Sequence, residues 1–293
     1  MANNCLASTD NMHDLPPNYY KDYEEIIALL KTTMDEIINK HTYTSLTFLT
    51  ERFISFYQSF YCEKEVFDSL NICKLNDDPI YEHSVNVALL SRMLGDLNHM
   101  HSSDLNSLTQ AALLHDIGKL LVDQDILHKD GTLTTKEFNL IKKHTKFGHK
   151  VLFNLFDDPR IAAVALMHHE RCDGSGYPTG AKSANLNEFT RIVAICDVYS
   201  GMVASRKYRE SRCPFEIIRM FEREGLQKYD TDYTILFLRS MLDTYIGYKV
   251  KLTSNEIGYI TSINPLNLSN PTVQVNNLIV DLSKDKRDIL HII

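Results

Sequence analysis

Histidine and aspartate recur along this chain in five short segments: His83, the pair His115-Asp116, His144, the pair His168-His169, and Asp197. Together they offer seven candidate metal ligands, in segments 24 to 32 residues apart. That spacing is expected when each ligand comes from a different helix of one bundle. Imidazole and carboxylate in this ratio suit Fe, Mn or Zn, whereas Mg and Ca prefer shells made wholly of oxygen. A single histidine on an apolar helix, such as His83, is ordinarily a core residue. Two adjacent imidazoles at the end of an apolar helix are harder to satisfy in a core without a metal or water. The chain has no Gly-x-Ser-x-Gly segment and no glycine-rich phosphate loop, so serine-hydrolase and nucleotide-triphosphatase chemistry find no support.

The elements that must position these residues are mostly helical. Residues 19–75 look helical. Ile26, Ile27, Leu29, Leu30, Met34, Ile37 and Ile38 follow helical spacing, and a second helix is expected from Leu46 to Phe60. Asn76-Asp77-Asp78-Pro79 punctuates the chain and starts a new helix. Val85, Val87, Leu89, Leu90 and Met93 form one apolar stripe; Leu105, Leu108, Ala111, Ala112 and Leu114 form another, which runs into His115-Asp116 and stops at Gly118. Asp130-Gly131 marks a turn, and Thr134 with Glu137 reads as a capping box. Ile161–Met167, the longest apolar run, leads into His168-His169. Gly174, Gly176, Pro178 and Gly180 require a loop, and Phe189–Val203 is again helical with Asp197 inside it. After residue 243 the period changes to two. Tyr248–Leu252, Tyr259–Ile263, Thr272–Val275 and Leu278–Val280 alternate like strands, with a turn at Asn255–Gly258.

With 293 residues, 44% of them hydrophobic, the chain can bury a large core. Only about the first 18 residues have the composition of disorder. A net charge of −7 argues against a nucleic-acid polymer or an anionic membrane as partner, so an anionic substrate would need local positive charge. Seven consecutive apolar residues fall well short of a membrane span. The N-terminus lacks a basic lead and an apolar signal core, and the six cysteines (Cys5, Cys62, Cys73, Cys172, Cys196, Cys213) form no framework. The expectation is a soluble, cytoplasmic protein with reduced thiols.

Two local texts add specificity. Residues 115–119 read His-Asp-Ile-Gly-Lys, and residues 168–178 read His-His-Glu-Arg-Cys-Asp-Gly-Ser-Gly-Tyr-Pro. Together they resemble the HD-GYP family of metal-dependent cyclic di-GMP phosphodiesterases, a branch of the HD phosphohydrolases, over roughly residues 77–243. The resemblance implies a mainly α fold: an HD-type helical bundle, with a helical N-terminal segment before it and a small C-terminal antiparallel β region after it. The implied division is 1–75 for the N-terminal lead and a regulatory or dimerisation segment, 76–243 for the catalytic domain, and 244–293 for the β-rich region.

It also implies two divalent transition metals, Fe or Mn, with Asp116 bridging them. His83, His115 and Asp197 complete one site, and His144, His168 and His169 the other. Asp116 and Lys119 are the implied catalytic pair, Lys119 on a nonbridging phosphate oxygen. Arg206 and Arg209 resemble phosphate contacts, Tyr208 a guanine platform, and Tyr177 a residue at the mouth of the site that shapes access or a partner surface. The implied reaction is hydrolysis of cyclic di-GMP to the linear dinucleotide pGpG or to GMP. Alternatives are another cyclic dinucleotide such as cyclic GMP-AMP, or a non-catalytic metal-containing nucleotide sensor. A protein partner at the Gly-Tyr-Pro loop and a homodimer complete the expectations. The sequence departs from the family pattern at Pro79, where some members carry a glutamate that supports a third metal. It departs again at Ser200, where an aspartate is usual, and at Cys172, where an aromatic residue is common.

Overall fold

The structure is a computed structural model that describes residues 15–72, 79–129, 131–203 and 213–293. Three helices lead: α1 (Tyr19–Lys40), α2 (Leu46–Tyr57) and α3 (Glu63–Ile72). The helix expected to reach Phe60 stops at Tyr57. The chain turns there, with Ser59 and Phe60 donating their backbone N–H groups three residues back, to the carbonyls of Phe56 and Tyr57. Tyr23 of α1 is fully buried and donates its hydroxyl to Asn86 Oδ1 at 2.9 Å, which ties the leading helices to the bundle.

The bundle is built from α4 (Pro79–Leu97), α5 (Ser102–Leu114), α6 (Gln124–Leu127), α7 (Thr135–Ile141), α8 (His144–Leu152), α9 (Pro159–Met167) and α10 (Glu188–Val203). Every residue of α4 from Ser84 to Gly95 is buried, the mark of a helix surrounded on all sides. Pro79 opens this helix, where its missing N–H costs nothing. The capping box at Thr134 and Glu137 is present, with both reciprocal bonds made. Asp158 caps α9 and Pro159 occupies its first turn. Helices α11 (Pro214–Met220), α12 (Leu226–Lys228) and α13 (Thr231–Asp243) follow, with a π-helical turn at Phe221–Gly225 between α11 and α12.

Five short strands close the chain: β1 (Lys249–Leu252), β2 (Ile257–Ser262), β3 (Thr272–Val275), β4 (Leu278–Asp281) and β5 (Ile289–Ile292). They form one antiparallel sheet in the order β4-β3-β2-β1-β5. The fifth strand has no counterpart among the sequence expectations, and β2 starts at Ile257, inside the expected turn. Val250, Leu252, Ile260, Val273 and Val275 point inward and join an apolar core that runs without interruption from α1 to the sheet. Among the described residues no helix is long and apolar enough to cross a membrane.

Candidate metal centre

The apolar stripe of α5 ends at Leu114, and the chain tightens into a 3-10 turn over Ile117–Leu121. This change of pitch turns His115 and Asp116 inward, and both are about 1% exposed. The turn packs directly on the start of α8. A Cβ on Gly118 would lie 1.9 Å from the carbonyl oxygen of His144 and 2.5 Å from the N of Gly148, so only glycine permits this approach. His144 thereby faces Asp116 from the first turn of α8. His168 and His169 follow the last turn of α9, His83 comes from α4, and Asp197 comes from the middle of α10.

The seven side chains converge. His83, His115 and Asp197 form one group and Asp116, His144, His168 and His169 the other, with one ligand atom from each lying within 4.8 Å of the rest of its group. Asp116 faces both. Its Oδ2 is 3.3 Å from His115 Nε2 and 3.9 Å from His83 Nε2; its Oδ1 is 3.3 Å from His144 Nε2 and 3.6 Å from His168 Nε2. Asp197 takes His83 Nε2 at 2.9 Å on one oxygen and lies 3.5 Å from His169 Nδ1 on the other.

The other ring nitrogens are engaged. His115 Nδ1 lies 2.7 Å from the Ala112 carbonyl, His144 Nδ1 2.7 Å from that of Ile141, and His168 Nδ1 3.0 Å from that of Val164. A carbonyl only accepts, so each of these Nδ1 atoms carries a proton, and a ring in its neutral form presents a bare Nε2. The bare nitrogens of His144 and His168 lie 3.3 Å apart, and both face a carboxylate. Acceptors crowded on acceptors are reconciled only by protons or by a cation between them. Burial pushes His144 down to about 4, and it also lowers His83 and, more strongly, His169, so protons are disfavoured on these rings. His115 goes the other way, because Asp116 beside it outweighs its burial. Burial opposes the charged form of Asp116, yet Lys119 and His115 hold its carboxyl well below the usual range; His83 chiefly does the same for Asp197. Asp116 Oδ1 and His115 Nε2 are buried with no hydrogen-bond partner among the described residues. Two anionic carboxylates, three imidazoles on which burial disfavours a proton (His83, His144 and His169) and orphaned acceptors together fit bound divalent metal.

Around this set, Ser200 Oγ lies 3.1 Å from His83 Nδ1, one turn beyond Asp197. The serine thus supports the ring at the position where the family usually has an aspartate. Lys119 Nζ bonds Asp116 Oδ2. Tyr177 lies over His169, with ring centroids 4.7 Å apart. Arg206, Tyr208 and Arg209 lie outside the described residues. Sequence reasoning passed over Glu170, which is 1% exposed and accepts from Thr179 N, Thr179 Oγ1, Gly180 N and Ala181 N, all within 3.1 Å. Its place directly after two histidines was the available signal.

A family model described as HD domain matches residues 69–233, more than half of the chain. Both signature texts fall inside that span. This chain belongs to the HD-GYP family. Its relatives include a cyclic di-GMP phosphodiesterase of Thermotoga maritima, 33% identical over 248 residues, covering 82% of this chain and 62% of that one. A cyclic di-GMP phosphodiesterase of Pseudomonas aeruginosa is 33% identical over 209 residues, covering 71% and 50%. A 3'3'-cGAMP-specific phosphodiesterase of Vibrio cholerae is 33% identical over 154 residues, covering 53% and 36%. The matches thus span half to somewhat under two thirds of the two cyclic di-GMP relatives. Among solved structures, an HDG"Y"P protein from Bdellovibrio bacteriovorus shares the fold with a TM-score of 0.61, over 78% of this chain and 73% of its own, at 16% identity.

Proposed function

We propose that this protein is a metal-dependent cyclic di-GMP phosphodiesterase acting in the cytoplasm, with residues 76–243 as its catalytic unit. The observation that carries the reading is the double-faced Asp116, whose two oxygens look onto two separate histidine groups. Two transition-metal ions, Fe or Mn, would be held by His83, His115 and Asp197 on one side and by His144, His168 and His169 on the other, with Asp116 between. When bound, such ions supply Lewis acidity and activate water for attack on phosphorus. The chain's own residues would do the rest. Lys119, already on Asp116 Oδ2, would hold a nonbridging phosphate oxygen. Tyr177 would wall the site beside His169. Arg206, Arg209 and Tyr208 would add phosphate and guanine contacts.

Cyclic GMP-AMP is the second reading, supported by the Vibrio cholerae relatives specific for 3'3'-cGAMP. Anaerobic purification, elemental analysis and product analysis against cyclic di-GMP, cyclic GMP-AMP and cyclic di-AMP test both. Close to two metals per chain and a linear dinucleotide or mononucleotide from cyclic di-GMP are expected. Preferential turnover of cyclic GMP-AMP would move the assignment to the second reading. A fully loaded protein inert on all three would refute both.

Lys119→Ala separates substrate holding from metal holding. Its metal content should match the wild type, because Lys119 is no ligand. A lost bond to a charged group costs about 1.5–3 kcal/mol, so kcat/KM should fall roughly ten- to a few-hundredfold. Elemental analysis beside initial rates at subsaturating substrate checks both halves, and wild-type kcat/KM would remove Lys119 from the site.

A further inference from the structure

The net charge of the chain is −7, so positive groups near the metal centre are informative. Two described cations there are already engaged. Lys119 pairs with Asp116. Arg171 donates to the carbonyls of His168 and Glu170 and lies over the Tyr229 ring at 4.8 Å. Lys142 differs. It follows α7, two residues before His144, and its ammonium sits 4.9 Å from the centroid of Tyr177 and 4.7 Å from that of Phe138. Tyr177 in turn lies on His169, so the phenol ring links the cation to an imidazole of the metal centre.

The loop that carries Tyr177 is pinned at several points. Glu170 gathers Thr179, Gly180 and Ala181 onto one carboxylate. Tyr177 N donates to the His169 carbonyl at 3.3 Å. A Cβ on Gly176 would come within 2.4 Å of Glu170 Cα, so the loop lies flat on the segment that carries the histidines. Tyr177 is thereby held against His169, while Phe138, the other ring beneath Lys142, is 44% exposed. A ring face holds an ammonium more weakly than a phosphate oxygen does, so Lys142 can be drawn off by an arriving anion.

We propose that Lys142 is a substrate-binding cation that takes the phosphodiester of a cyclic dinucleotide that is not being cleaved. The inference rests on the proposed function: one phosphodiester lies at the metal centre, and the ring of the substrate carries a second that needs its own counter-charge. Lys142 supplies it from beside Tyr177, one ring away from His169.

The test compares two substrates on the metal-loaded protein: cyclic di-GMP, with two phosphodiesters, and bis(4-nitrophenyl) phosphate, with one. Lys142→Met keeps the apolar stem and removes the charge. KM for cyclic di-GMP should rise about tenfold with kcat held within a few-fold, as loss of a charge-assisted contact away from the reacting phosphorus requires. The rise should be several times larger than any change with the single phosphodiester, and Lys142→Arg should restore most of it. Equal losses on both substrates would mean that Lys142 merely props Tyr177, and would overturn the proposal. So would a Lys142→Met protein with wild-type KM for cyclic di-GMP. A wild type that cleaves bis(4-nitrophenyl) phosphate but no cyclic dinucleotide fails differently: it removes the proposed function itself, and this inference with it.

Discussion

Asp116→Ala is expected to strip the protein of both metals and to lower kcat/KM by at least about a thousandfold, the scale of several kcal/mol of lost transition-state stabilisation. The reason is geometric. Each oxygen of Asp116 lies near two histidines, Oδ2 by His83 and His115 and Oδ1 by His144 and His168, so its removal weakens both ligand groups at once. The helical fold should survive, because the carboxylate packs among polar site groups and not in the apolar core. Elemental analysis, far-ultraviolet circular dichroism and turnover form the required set of measurements. A variant that retains two tightly held metals and normal rates would show that the centre is organised around another group.

Gly118→Ala should be nearly as damaging by a different route. The added methyl carbon would meet two backbone atoms, the oxygen of His144 and the nitrogen of Gly148, and neither can rotate away. The 3-10 turn and α8 must separate, at a cost of about 1–3 kcal/mol, which lowers Tm by roughly 2–5 °C in a chain of this size. The separation also draws His144 off Asp116 Oδ1, so metal should be lost mainly from the group of Asp116, His144, His168 and His169. Gly201→Ala is the matched control. Among the described residues nothing lies within 4 Å of its would-be Cβ, and alanine favours a helix, so it should leave Tm and metal content unchanged or slightly raise stability. If thermal melts and metal analysis fail to separate the two variants, the close approach at Gly118 does not position the ligands.

The sequence was most legible where pattern and chemistry coincided. The stripe from Leu105 to Leu114 predicted both a helix and its end at the His-Asp pair, and Thr134 with Glu137 predicted a helix start from capping alone. The resemblance drew the histidines into one set because its two texts are specific. Contacts between distant segments were less legible. Ser200 stands where the family usually has an aspartate, and its bond to His83 spans 117 residues. Glu170 binds a loop nine to eleven residues ahead, a reach no periodicity encodes. Lys142 reads as one of several lysines until Tyr177 is folded onto His169. β5 was missed because Ile289–Ile292 is short, carries His291 and follows a charged run, so it alternates too little to be read as a strand.

The join between bundle and sheet bears on how such a chain can be recombined. Glu222, in the π-helical turn, accepts from the backbone N–H groups of Leu268 and Ser269, and Arg219 pairs with Asp288 at 2.9 Å. Lys64 of α3 lies over Tyr248, and the inward residues of the strands share one core with α11 and α13. The β region is therefore no interchangeable cassette. A crossover at residue 243 would strand a carboxylate without its donors and leave apolar helix faces uncovered, so shuffling of parts is tolerated more readily at seams other than this one.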